Sequence, residues 1–171
     1  HPPASACLND YGQEFPAFLA QFPHASSLTY LADVARLEWA VNDALHAPDV
    51  APLDLAALAA LDPAQMAAVR FTPHPAVSTL RLDSAADAIW RAVLDGDETS
   101  MRAIDPQAGP VWLLIECDTL GVQVRRLDRD AWEFSRRLFA GESLQASLDG
   151  EGFDAVLADH LAAGRFISIT L

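Results

Sequence analysis

The chain has 171 residues of which 51% are hydrophobic, enough for one large or two small packed domains. It carries 24 acidic residues against 11 basic ones, a formal net charge of −13, and every basic residue is arginine. Residues 1–61 hold one arginine against seven acids and residues 62–171 ten against seventeen, so neither part is basic; duplex binding rests on cationic contacts to phosphate, and nucleic acid is disfavoured as a partner.

In chain order, residues 10–21 read as a short helix capped by Asn9 or Asp10, with Phe15, Phe18, Leu19 and Phe22 along one side and Pro23 ending it. The clearest long helix spans about 28–46, where Tyr30, Val34, Leu37, Val41 and Leu45 recur at helical spacing. Pro48 and Pro52 break the chain. A short Ala/Leu-rich helix over 54–61 follows, and Asp62-Pro63 restarts another with Asp as cap and Pro at the first helical position.

From residue 69 the pattern changes. Segments 69–72 and 77–82, separated by Pro73-His74-Pro75, predict two short strands. Ser84 with Asp87 three residues on predicts a capping-box-like helix start, with Ala86, Ile89, Trp90 and Val93 on the buried side. Residues 95–110 read as a loop. Segments 111–117 and 122–127, joined by Asp118-Thr119-Leu120-Gly121, form the strongest hairpin candidate. Helices over 129–140, 143–148 and 153–163 follow, each ending at or near a glycine suited to a left-handed cap, and 166–171 predicts a last strand. The expected fold class is α+β, with a helical N-terminal portion over 1–68 and a second domain over 69–171.

The residues that carry chemistry are sparse. The five histidines (1, 24, 46, 74 and 160) are scattered without metal-ligand spacing, and no nucleophile elbow, phosphate loop or dinucleotide fingerprint is present. His74 reads as a turn residue. Acidic pairs such as Asp97-Glu98 and Asp128/Asp130 read as helix caps and solvated charges. Cys7 and Cys117 form no C-x-x-C pair, and no secretory segment is in view, which points to a reducing cytoplasm. The longest apolar run, Val111 to Ile115, is far short of the roughly 20 residues a membrane helix needs, so no membrane role is expected.

Two features invite a partner. On a helical wheel Trp39 points away from the stripe of its helix and Glu38 lies at its edge: Trp39 either packs on a second helix, with Glu38 bonded to a buried backbone group or Arg36, or forms a docking anchor. Strand 122–127 alternates Val122, Val124 and Arg126 with Gln123, Arg125 and Leu127. As a sheet edge it would receive an extended peptide, with pockets supplied by the 153–163 helix; alternatively, Arg125 and Arg126 merely blunt the edge against aggregation.

Three motifs then carry a resemblance: His1-Pro2-Pro3-x-Ser5; Leu8-x-Asp10-Tyr11-Gly12-x-x-Phe15-Pro16-x-Phe18-Leu19; and Tyr30-Leu31-x-Asp33-Val34-Ala35-Arg36-Leu37-Glu38-Trp39-Ala40. Together they resemble the HvfC/BufC family of bacterial proteins, whose N-terminal domain carries a DNA-binding label. The resemblance implies an accessory role. The family member pairs with a multinuclear iron oxygenase of the methanobactin-synthase type and presents a cysteine-containing precursor peptide, usually for copper handling. The chain starts at His1 inside the first motif, which predicts an incomplete N-terminal domain. The order strand, strand and three helices over 111–163, with Leu138-Phe139-Ala140-Gly141-Glu142-Ser143-Leu144 at the first helical junction, resembles winged-helix peptide-recognition domains.

These likenesses imply a peptide site at Val122, Gln123, Val124, Arg125, Arg126, Val156, Leu157 and His160, and a partner interface at Tyr11, Glu38 and Trp39. No catalytic, cofactor or metal residue is expected in this chain, the iron belonging to the partner enzyme. The alternatives are a DNA-binding transcriptional regulator and, third, an enzyme of unrecognised type.

Overall fold

The computed structural model describes residues 12–148 and 152–171. Its fold class is α+β, built around the strand β3, Val111–Asp118. Strand β2, Val77–Leu82, pairs with one side of β3 and strand β4, Gly121–Leu127, with the other, both antiparallel, in the order β2-β3-β4. The run Val-Trp-Leu-Leu-Ile at the start of β3 is apolar without alternation because both faces of the sheet are covered. Successive side chains point to opposite faces. Val111, Leu113 and Ile115 join Leu37, Ala44, Leu82 and Ala86 in a first core under helices α2, Leu31–Leu45, and α5, Ala86–Asp95. Leu114 is buried on the other face, where helix α7, Arg129–Phe139, packs across β2 and β3.

A second, two-stranded sheet pairs β1, Arg70–Pro73, with β5, Phe166–Thr170. Phe71, Phe166, Phe134, Leu138, Leu144, Val69 and Leu58 form the core beside it. Its helices are α3, Leu55–Ala59; α4, Pro63–Ala68; α7; α8, Leu144–Ser147; and α9, Asp154–Ala162. The cores draw from both sides of residue 68, since α2 belongs to the first and Leu58 of α3 to the second. Helix α1, Phe15–Gln21, lies against α2 and is followed by a short 3-10 turn at Pro23–Ala25.

Several starts follow the sequence closely. Asp62 and Gln65 form the reciprocal capping box of α4, while Asp54 caps α3, Asp128 caps α7 and Ser143 caps α8. Other expectations are corrected. The 95–110 segment and three residues before it depart from the pattern, while the two predicted strands flanking His74 exist, one in each sheet. The 95–110 segment is not all loop: it holds helix α6, Glu98–Ala103, because Asp97 accepts bonds from the Thr99 and Ser100 amides and starts a turn. Ser84 caps nothing; α5 starts after Ala85 with no side-chain cap, and the Ser84 hydroxyl bonds Asp33 instead. Val93, expected on the buried side, is exposed. Among the described residues no helix is long and apolar enough to cross a membrane.

Candidate functional site

The direction of each backbone group along the sheet edges follows from the register. The Cys117 amide donates to the Ala76 carbonyl beyond the end of β2, at 3.2 Å. Bonding alternates along an antiparallel strand, so Cys117, Ile115 and Leu113 bond toward β2 and Glu116, Leu114 and Trp112 toward β4. The partners Gln123, Arg125 and Leu127 therefore bond inward. Val122, Val124 and Arg126 turn their N–H and C=O groups outward, making β4 an edge whose alternate backbone groups point away from β3.

Side chains brace that edge from both faces. Arg126 forks onto Asp87 of α5 at 2.6 and 2.8 Å, and this bond raises the guanidinium's pKa above its ordinary value. Arg91 of α5 donates to the outward Val124 carbonyl at 3.4 Å, and Arg125 reaches across the opposite face to Asp159 of α9 at 2.8 Å. Val122 and Val124 are half-buried against the first core, while Gln123, Arg125 and Arg126 are exposed.

The expected contribution of α9 is corrected at His160. Val156 and Leu157 pack into the second core, and His160 is only 1% exposed, so its ring meets Phe139 and Phe166 in the interior rather than a ligand. Helix α9 is covered on the His160 side by β5 and α7. Arg165, 4% exposed, completes the interior arrangement: it forks onto Glu116 of β3 at 2.5 and 2.9 Å and donates to Asp159 at 2.7 Å. Gly164 makes this possible by taking a left-handed conformation, φ 68°, that turns the chain from α9 into β5.

The protonation of His160 can be read from its partners. The Ser135 hydroxyl donates to the Ala131 carbonyl at 2.6 Å, so it accepts from His160 Nε2–H at 2.8 Å; Nδ1 is left to accept from Arg165 at 3.1 Å. The ring is neutral. Burial, with the Arg165 charge beside it, pushes its pKa down to about 4. Burial alone would raise Asp159, but the bonds from Arg125 and Arg165 prevail and hold it at about 2. For Arg165 itself burial works downward, and the bonds to Glu116 and Asp159 more than offset it, leaving the pKa raised.

The other edge, β2, borders a groove of about 710 Å³ between α1, α2 and the strand. Trp39 is half-buried on its wall, with its ring 3.2 Å from the position a Cβ on Gly12 would take. Glu38 is exposed, and Arg36, one of the two partners considered for it, bonds Asp33, at 3.2 Å. Tyr11, the third expected interface residue, lies outside the described residues, as does Cys7. Phe15, Phe18 and Phe22 stack along the outer side of α1, 6.2 and then 5.1 Å apart, and all three are exposed.

Asp33 was not singled out by the sequence reading. It is 8% exposed and accepts from the Asp83 and Ser84 amides and the Ser84 hydroxyl at 2.9, 3.0 and 2.9 Å, tying α2 to the β2–α5 turn. The available signal was an acid on the buried side of an amphipathic helix, four residues before Leu37. Among the described residues no group of three or more His, Cys, Asp or Glu side chains is placed to hold a metal ion. No protein-family model, curated protein or solved structure matches the chain.

Proposed function

We propose that the chain is a non-catalytic accessory subunit that binds an extended segment of a cysteine-containing precursor peptide along β4 and presents it to a multinuclear iron-dependent peptide-modifying oxygenase in copper handling. The observation that carries this reading is the edge position of β4, with the N–H and C=O groups of Val122, Val124 and Arg126 directed outward. The hairpin β3–β4 followed by α7, α8 and α9 has the element order of a winged-helix peptide-recognition domain, and the N-terminal motifs resemble the HvfC/BufC family.

In this reading the peptide touches the outward backbone and the exposed Gln123, Arg125 and Arg126, while Val156, Leu157 and His160 support the strand from the second core without meeting the peptide. The oxygenase covers the N-terminal face, where Glu38 and the stacked phenylalanines of α1 offer an exposed apolar row beside Trp39. The regulator alternative is disfavoured because the arginines at positions 36, 81, 102, 125, 126, 136, 137 and 165 are paired with carboxylates, which leaves little charge for phosphate.

The test is co-purification from the native host with and without Val124→Pro. The substitution removes a donor that points away from β3, so the sheet survives it. Recovery of oxygenase and precursor with the natural chain, and loss of the precursor alone with Val124→Pro, is the expected result. Unimpaired precursor recovery with a folded Val124→Pro chain overturns the reading.

A further inference from the structure

The flank of α5 beside β4 carries a cation with no carboxylate partner. Asp87 and Arg91, one turn apart on α5, reach Arg126 and Val124, two residues apart on β4. Helix and strand run side by side, since four helical residues and two strand residues each advance about 6 Å. Asp87 is taken up by the two bonds from Arg126.

Arg91 differs from the other arginines near this edge. Arg125 and Arg126 are paired with Asp159 and Asp87. Among the described residues Arg91 forms no ion pair with a carboxylate, and the one hydrogen bond it donates goes from Nη2 to the outward Val124 carbonyl, at 3.4 Å. A guanidinium has five N–H donors, so most of this exposed fork is open. Its carbon lies 5.9 Å from the centre of the Trp90 ring, which steadies the charge at the edge. Asp95, one turn further along α5, falls beside Val122 by the same spacing and forms no ion pair with Arg91.

An antiparallel strand added to β4 exchanges hydrogen bonds with Val124, and its residue opposite Val124 turns its side chain to the same face. That face is the one α5 covers, because Val124 packs on the first core with Ala86 and Trp90. The added side chain starts about 5 Å from that of Val124, within reach of Arg91. The Val124 carbonyl has two lone pairs, so it accepts from the peptide N–H and from Arg91 together.

We propose that Arg91 makes β4 selective for peptides with an aspartate or glutamate opposite Val124, whose carboxylate takes the open side of the guanidinium fork. The proposal rests on the reading of β4 as a peptide-receiving edge and names the chemistry of the peptide at one position.

Random displayed dodecapeptides, selected on the full chain, test it. The expected binders carry Asp or Glu at a shared position and slow hydrogen exchange at the Val122 and Val124 amides. Arg91→Gln, at an exposed helical position, weakens them about fivefold, the upper end for an exposed ion pair. The Asp→Asn or Glu→Gln version of each peptide binds the natural and Arg91→Gln chains alike. Selection on Arg91→Glu returns Lys or Arg at the shared position. Binders that slow Val122 and Val124 yet carry no acid, or bind Arg91→Gln as tightly as the natural chain, overturn the assignment to Arg91 and leave the β4 reading standing. A selection with no binder, or with binders that leave both amides unchanged, overturns both. Should Arg91→Gln fail to fold, the amide versions of the peptides decide on the natural chain: a loss of about fivefold is expected, and no loss overturns the proposal.

Discussion

The two faces of the β2-β3-β4 sheet are held by different chemistry. On one face α2 and α5 bury an aliphatic core, and a single carboxylate, Asp33, ties the helix to the turn after β2 through backbone amides. On the other, where α7 packs across β2 and β3, a buried guanidinium, Arg165, binds β3 to α9 through Glu116 and Asp159, with His160 beside it. A carboxylate accepting backbone N–H groups satisfies donors that a turn would otherwise leave orphaned, so it fixes local geometry. A buried ion cluster gains little over an apolar core but is costly to break, so it fixes which elements meet. The face that orients β4 relative to α9 is the second, through Arg125 and Asp159.

The contrast breaks most sharply at Arg165. Arg165→Ala leaves Glu116 and Asp159 without their shared cation, and a loss of about 3–5 kcal/mol is expected in urea unfolding. An unchanged midpoint would mean that the cluster holds nothing together.

Acid should act on that face as well. His160 has a folded pKa of about 4 against an ordinary 6.5, so the unfolded chain binds a proton that the folded chain refuses. The stabilisation is full above about pH 6.5 and is lost as pH falls toward 4, by on the order of 3 kcal/mol. Asp159, held at about 2 against 3.8, adds a further loss below about pH 4 as it protonates. His160→Gln should flatten the pH 4–6.5 part of the curve, measured by thermal melting at stepped pH. A slope that survives the substitution assigns it elsewhere.

Asp33→Ala is the smaller perturbation on the aliphatic face. It strands two amides and a hydroxyl near a surface turn that water can partly reach, and a cost of about 2 kcal/mol is expected. Hydrogen exchange should rise first at Asp83 and Ser84. Uniform acceleration across the sheet would show that the clip supports the whole core rather than its turn.

These ties mark the limit of what the sequence makes legible. Hairpin β3–β4 reads directly from Val111-Trp112-Leu113-Leu114-Ile115, a short turn and the alternation of 122–127, because period and turn chemistry are local. The caps Asp62 and Asp128 are local too and stand where expected, while Asp54 and Ser143 cap helices expected to begin at those residues. His160 and Arg165 are five residues apart, but their burial depends on Glu116, 49 residues from Arg165, which no window contains. Asp33 meets Ser84 across 51 residues, and that long bond explains why Ser84, so placed to cap α5, does not. The edge position of β4 was posed as a condition in the sequence and depends on strand order, which periodicity does not encode. Helix α6 was missed because six polar-rich residues have no apolar stripe, though Asp97 stood ready as a cap.

The central claim is that β4 receives a peptide through its outward backbone, and amide hydrogen exchange of the full chain with and without the precursor peptide tests it most directly. Added peptide should slow exchange at Val122, Val124 and Arg126 in alternation, while Gln123 and Arg125, already bonded to β3, change little. Unchanged exchange at Val122 and Val124 with saturating peptide bound would contradict the account.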